Sequence, residues 1–192
     1  MQCLSCLNTK IVKGSPSKRT YLLRPSIRLL SRRSQGKECV CKVGQKCVIF
    51  LATGCYAGYI PIAPGTFGTL VAIPLSYLLS RLGPFQCALF ITVFSGVAIF
   101  ISSEAEKVFN KKDTPLIVID EIAGLLVTLF FIPWNAETVI TGFVIFRIMD
   151  ITKPFPIRKV ESKLKAGWGV VGDDLLAGIY ANVVLRLIMQ FF

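Results

Sequence analysis

Histidine is absent from this sequence, and charge is scarce beyond its first 46 residues. Without histidine, a Ser-His-Asp hydrolase, a phosphohistidine enzyme and a histidine-ligated metal centre are all excluded. Charged residues make up 17% of the chain, against about 25% in a soluble globular protein. Acids are the rarer sign, with 11 Asp/Glu against 22 Lys/Arg. Alternation of apolar and polar residues is missing too, which argues against an all-β architecture. The cysteines are seven, an odd number, and in a chain this apolar they do not form a disulfide framework. Cys3/Cys6 and Cys39/Cys41 imitate a zinc site, but the second pair has one intervening residue where two are usual.

What is abundant is apolar surface. Hydrophobic residues reach 53%, and the mean hydropathy is +0.63. The net charge of +11 is local: residues 1–46 hold 11 of the Lys/Arg and a single acid, Glu38. Beyond that tail no basic face with interleaved aromatics exists, so nucleic acid is not an expected partner. The tail has three readings: a transit-like peptide, a basic arm on an anionic membrane surface, or an extension upstream of the working protein. The expected division is therefore 1–46 as a basic tail and 47–192 as a membrane-embedded domain.

The stretch 48–59 is apolar but short, and reads as a membrane-proximal or re-entrant piece. Five hydrophobic segments follow, at 69–82, 84–102, 117–133, 136–151 and 175–192. Several are near or below the ~20 residues that a span needs. The expected fold is all-α, a polytopic membrane bundle of four to five hydrophobic helices. Orientation follows from the loops. Lys107, Lys111 and Lys112 join the second segment to the third; Lys153, Arg158, Lys159, Lys163 and Lys165 join the fourth to the fifth. The turn Trp134-Asn135-Ala136-Glu137 carries no basic residue. Positive charge marks the cytoplasmic side, so both basic loops are expected inside.

That topology gathers acids at the inner face. Asp120 and Glu121 open the third segment, Asp150 closes the fourth, and Asp173 and Asp174 open the fifth. Glu104 and Glu106 follow the second. At a helix start an acid also caps backbone N–H groups, so either pair alone has a structural explanation. Asp150 lies near a helix C-terminus, where its charge opposes the dipole. It needs Arg147, Lys153 or a bound cation. Ionisable groups at apolar depth are functional candidates, and clustered carboxylates favour a hard divalent ion. Mg²⁺ is shared in this way between carboxylates and substrate phosphates. Arg147, Lys153, Arg158 and Lys159 are candidate phosphate contacts.

Two glycine runs need placing. The run from Gly167 to Gly172 formally matches a dinucleotide fingerprint, yet a basic loop precedes it and Asp173-Asp174 follows. Those acids would repel a pyrophosphate, so a turn presenting them is expected instead. Pro64-Gly65-Thr66-Phe67-Gly68-Thr69 lacks the Walker lysine; its N–H groups and the Thr66 hydroxyl are candidate phosphate contacts. Gly124 and Gly178 each follow an acid by four residues and are expected to let helices approach closely.

These motifs resemble the phosphatidylglycerophosphatase A family. The blocks are Gly58 to Leu70, Ile117 to Gly124, Phe146 to Ile157 and Gly169 to Gly178, in the family's order. The resemblance implies a Mg²⁺-dependent phosphatase of the bacterial inner membrane, converting phosphatidylglycerophosphate to phosphatidylglycerol. It implies Asp120, Glu121, Asp150, Lys153, Asp173 and Asp174 as site residues, with Thr66 in the first block. The long basic tail departs from the family pattern; a transit-like tail would mean an organelle membrane. Other phosphatase chemistries lack their residues here: no Cys-x5-Arg loop and no Asp-x-Asp pair occurs. In the surviving metal-carboxylate scheme, Asp120, Asp150 and Asp174 bind the ion, and Glu121 or Asp173 orients or deprotonates water. An aspartyl-phosphate route stays open. The rival from another class is a small cation transporter, which would place its acids near the bilayer midplane.

Overall fold

The computed structural model describes residues 44–111, 114–155, 157 and 167–190. Among them every regular element is helical. After a helical stretch at 44–52 and a 3-10 turn at Ala57–Tyr59 come five helices: α1 (Pro64–Leu79), α2 (Pro84–Phe109), α3 (Ile119–Thr128), α4 (Ala136–Thr152) and α5 (Gly167–Met189).

The boundaries have local causes. Pro64 and Pro84 open α1 and α2, where a missing N–H costs nothing. Asn135 caps α4, its side chain accepting from the Thr138 N–H at 2.8 Å while the Thr138 hydroxyl accepts from the Asn135 N–H at 3.2 Å. At the other end of α4, Lys153 turns left-handed (φ 41°) and Pro154 prevents continuation.

Short α3 is the axis of the bundle, packed against each of the other four helices. Eight of its ten residues are buried. It ends without a local cap. Instead Asn182 Nδ2 of α5 donates to the carbonyls of Val127, Thr128 and Phe130, and Arg186 donates to those of Phe130 and Phe131 at 3.0 Å. Orphan carbonyls are thus satisfied from another helix.

Close helix approach depends on glycine. A Cβ on Gly124 would lie 2.5 Å from the Phe146 ring, and one on Gly178 would lie 2.4 Å from the Gly124 carbonyl. The close approach expected at these two residues is a crossing of α3 and α5.

The outer surface is apolar. Phe85, Leu89, Val93, Val97 and Phe100 form an exposed row on α2; Ile140, Val144, Ile148 and Ile151 do so on α4; Ile179, Val183 and Leu187 do so on α5. Three-to-four-residue spacing puts each set on one helix face. Asp120, Asp173, Asp174, Thr69, Ser102 and Thr128 are buried instead. Exposed apolar rows around a core that also buries acids are unusual in a water-soluble monomer. One described helix, Pro84–Phe109, is long and apolar enough to cross a membrane; Pro64–Leu79 is apolar but shorter.

Four segment boundaries differ from expectation. The run expected at 69–82 is helical from Pro64 to Leu79. The apolar run 117–133 yields a helix of only ten residues, about 15 Å long. The run 84–102 continues helically to Phe109, so Glu104 and Glu106 are on α2 rather than in a loop. The glycine run 167–172 is the opening of α5, not a turn. Its glycines replace a turn because they admit α2: a Cβ on Gly167 would meet the Ile99 carbonyl at 2.3 Å.

Candidate active site

Three parts of the chain distant in sequence converge at one end of the bundle. The N-terminus of α3 brings Asp120 and Glu121, the C-terminus of α4 brings Arg147, Asp150 and Lys153, and the second turn of α5 brings Asp173 and Asp174. The start of α1 closes the group from the side. Asp120, Asp173 and Asp174 are buried, each 5% exposed. Glu121, Asp150 and Arg147 are nearly so, with side chains 16%, 15% and 17% exposed.

Glu121 is the most fully held. Its Oε2 accepts from the buried Thr69 hydroxyl at 3.1 Å and lies 3.2 Å from Arg147 Nη1. Its Oε1 lies over Gly65, where an added Cβ would be 2.0 Å away. Only glycine leaves room for that carboxylate. Three positions on, a Cβ at Gly68 would meet Val118 at 2.4 Å, so α1 and the entrance to α3 are in close contact. Arg147 Nη1 also donates to Asp150 Oδ2 at 2.8 Å. The dipole conflict expected for Asp150 is thereby relieved, by Arg147 of its own helix. Lys153 Nζ donates to Asp173 Oδ2 at 2.5 Å.

Asp120 and Asp174 differ from the others. Asp120 Oδ1 accepts the Glu121 N–H at 3.0 Å. No described cation lies within ion-pair reach of Asp120 or Asp174. Both are close enough to neighbouring acids to feel them: Asp120 interacts with Glu121 and Asp173, and Asp174 with Asp120, Asp150, Asp173 and Glu121. Five carboxylates thus share the described site with two cations, Arg147 and Lys153. Among the described residues Asp120 and Asp174 are the buried acids that no cation reaches.

The remaining expectations distribute as follows. Thr66 is half-buried in the first turn of α1, its N–H bonded to the Ala63 carbonyl at 3.0 Å. Among the described residues its hydroxyl makes no contact with the five acids; the hydroxyl on Glu121 is that of Thr69. Thr69 was legible in principle, because a helical block places residues 65 and 69 on one face and turns 66 away by about 100°. Glu104 pairs with Lys107 at 2.6 Å on the surface, apart from the site. Arg158, Lys159, Lys163 and Lys165 lie outside the described residues, as do Cys3, Cys6, Cys39 and Cys41.

Hard oxygen donors and surplus negative charge fit Mg²⁺ by chemistry. Among the described residues no group of three acids or cysteines is drawn together as a ready-made cage. Mg²⁺ does not need one, since it commonly takes one or two carboxylates and completes its shell with water and phosphate oxygens.

The family model for phosphatidylglycerophosphatase A matches residues 50–189. Phosphatidylglycerophosphatase A of Escherichia coli is 38% identical over 140 residues, 72% of this chain and 81% of that protein. Its counterpart from Haemophilus influenzae is 37% identical, covering 73% of this chain and 88% of that one. A Bacteroides thetaiotaomicron protein, 35% identical over 72% of this chain and 91% of its own, is provisionally named a phosphatidylinositol-3-phosphatase. No solved structure matches.

Proposed function

This chain belongs to the phosphatidylglycerophosphatase A family, and on that premise we propose that it hydrolyses phosphatidylglycerophosphate to phosphatidylglycerol and inorganic phosphate with Mg²⁺ as cofactor. The observation that carries the reading is the buried pair Asp120 and Asp174, which no described cation reaches, beside two side-chain cations that suit a phosphate. When bound, Mg²⁺ would be held by Asp120 and Asp174, with Asp150 at its edge, and would polarise the phosphoryl oxygens.

The chain's own groups divide the remaining work. Lys153 and Arg147 bind the phosphate oxygens and orient the ester. Their carboxylate partners, Asp173 and Asp150, hold both cations in place when no phosphate is present. Glu121 accepts the proton of the attacking water at Oε1, since Thr69 and Arg147 occupy Oε2. The α1 N-terminus beside Glu121 carries no acid in its first turn, so its dipole favours the departing phosphate. Burial of Asp120, Asp173 and Asp174 limits bulk water at these contacts.

The bundle is embedded in a membrane, its apolar rows facing lipid and its acids at the cytoplasmic boundary. Support comes from the exposed rows on α2, α4 and α5 and from the basic residues at the acidic end. The test is phosphate release in detergent, with and without chelator, for the full chain and Asp120→Asn. Release from phosphatidylglycerophosphate that needs Mg²⁺ and is lost in the variant is expected. Equal release in both proteins, indifferent to chelator, would defeat the reading. Preferential release from phosphatidylinositol 3-phosphate would move the substrate and keep the site.

A further inference from the structure

A cavity of about 380 Å³ lies at the end of the bundle opposite the acids. That volume is in the range of small-molecule sites, about 300–1,000 Å³. Its walls come from the end of α1 (Ser76, Leu79), the first turn of α2 (Cys87), the end of α3 (Leu126, Leu129) and the link to α4 at Trp134. Leu82 and Phe131 line it too and are exposed, so its rim continues the apolar outer surface.

The polar atoms of the wall are already used. Trp134 Nε1 donates to Ser76 Oγ at 3.1 Å, Ser76 Oγ donates to the Ile73 carbonyl at 2.7 Å, and Ser80 Oγ donates to the Tyr77 carbonyl at 2.7 Å. No wall hydroxyl or indole has a donor left for a phosphate headgroup. The chemistry that remains is hydrocarbon.

Depth identifies which hydrocarbon. Along α3 the wall residues Leu126 and Leu129 stand five and eight positions beyond Glu121, about 7–12 Å from the acids at 1.5 Å per residue. The hydrocarbon core is about 30 Å thick, so acyl chains of one leaflet reach about 15 Å below their headgroups. A lipid with its phosphate at the acids therefore brings its chain end to the level of the cavity. We propose that this cavity receives the terminal part of an acyl chain of the substrate lipid and makes turnover dependent on chain length. The inference rests on the lipid-phosphatase reading above.

Cys87 supplies the test, because it lines the cavity and is buried, whereas Cys47 and Cys55 are exposed. The full chain is prepared with Cys3, Cys6, Cys39, Cys41, Cys47 and Cys55 replaced by Ser. Folded protein is then treated with decyl methanethiosulfonate, which forms a disulfide at Cys87 and expels methanesulfinate. With the cavity filled, kcat/KM on dioleoyl phosphatidylglycerophosphate should fall at least tenfold, while turnover of the dihexanoyl substrate stays within twofold. An equal fall for both substrates, or none for either, overturns the proposal.

A second measurement does not require turnover. Long-chain phosphatidylglycerol should slow alkylation of Cys87 in the untreated protein more than its dihexanoyl analogue does. Equal protection by long-chain phosphatidylcholine would mean bulk lipid fills the space, and would overturn the proposal. Failure of the untreated protein to hydrolyse either substrate sinks the phosphatase reading instead, and the protection result then decides the cavity by itself.

Discussion

The two ends of α3 are built on opposite terms. At its C-terminus every strained polar group is met: three carbonyls accept from Asn182, two from Arg186, and Arg186 is itself braced by Asn182 Oδ1 at 2.8 Å. At its N-terminus five acids face two described cations, and two buried carboxylates have neither. The first end resembles a finished structural joint. Among the described residues the second holds more carboxylates than cations. An acid buried without a cation is costly, and that arrangement is what the metal site proposed above rests on.

This contrast is broken most severely by removing one of the uncompensated acids. Asp120→Asn or Asp174→Asn should lower kcat by about a thousandfold, on the scale of losing an essential electrostatic group. Thermal unfolding in detergent should show the same or a higher Tm, because a repelled charge has gone. A large fall in Tm would instead assign that acid to the fold.

Next in size is Gly178→Ala, whose Cβ would meet the Gly124 backbone carbonyl at 2.4 Å. Overpacking of this kind costs about 1–3 kcal/mol. Activity should fall with stability, since the same crossing carries Asp174. Third, Arg186→Ala strips donors from two carbonyls and should cost about 2 kcal/mol. Activity per folded molecule should survive. Lost activity at unchanged stability would erase the distinction between the two ends.

The smallest effect sharpens the comparison. Thr69→Val keeps the volume and removes the hydroxyl on Glu121, so kcat should drop about tenfold, the lower range for a residue that orients a reacting group. Tm and KM should change little, and Thr69→Ser should restore the rate. A Val variant as active as the parent would free Glu121 from this control.

Part of this arrangement was legible in the sequence. The span 136–151 matched α4 because Asn135 and Thr138 mark its start and Pro154 its end. Loop charge led to the expectation that Asp120, Glu121, Asp150, Asp173 and Asp174 share one end, and they do, whereas Glu104, expected with them, pairs with Lys107 on the surface. Gly124 and Gly178 were legible as points of close helix approach, without the partner helix. The end of α3 was not legible. Residues 129–133 are as apolar as the helix before them, and the groups that terminate it lie on α5, more than fifty positions away. Thr69 was missed for a related reason: the loop-like composition of Pro64–Thr69 hid a helix, and in a helix Thr69, not Thr66, shares a face with Gly65.

Lys153 is held at a conformational cost. Its backbone occupies a left-handed seat that glycine fills freely and a lysine fills only at a cost of about 1–2 kcal/mol. A glycine there would give a firmer protein with no cation to greet a phosphate. The chain has settled for the looser joint, and in the scheme above that concession is what places an ammonium, held by Asp173, at the mouth of the reaction chamber.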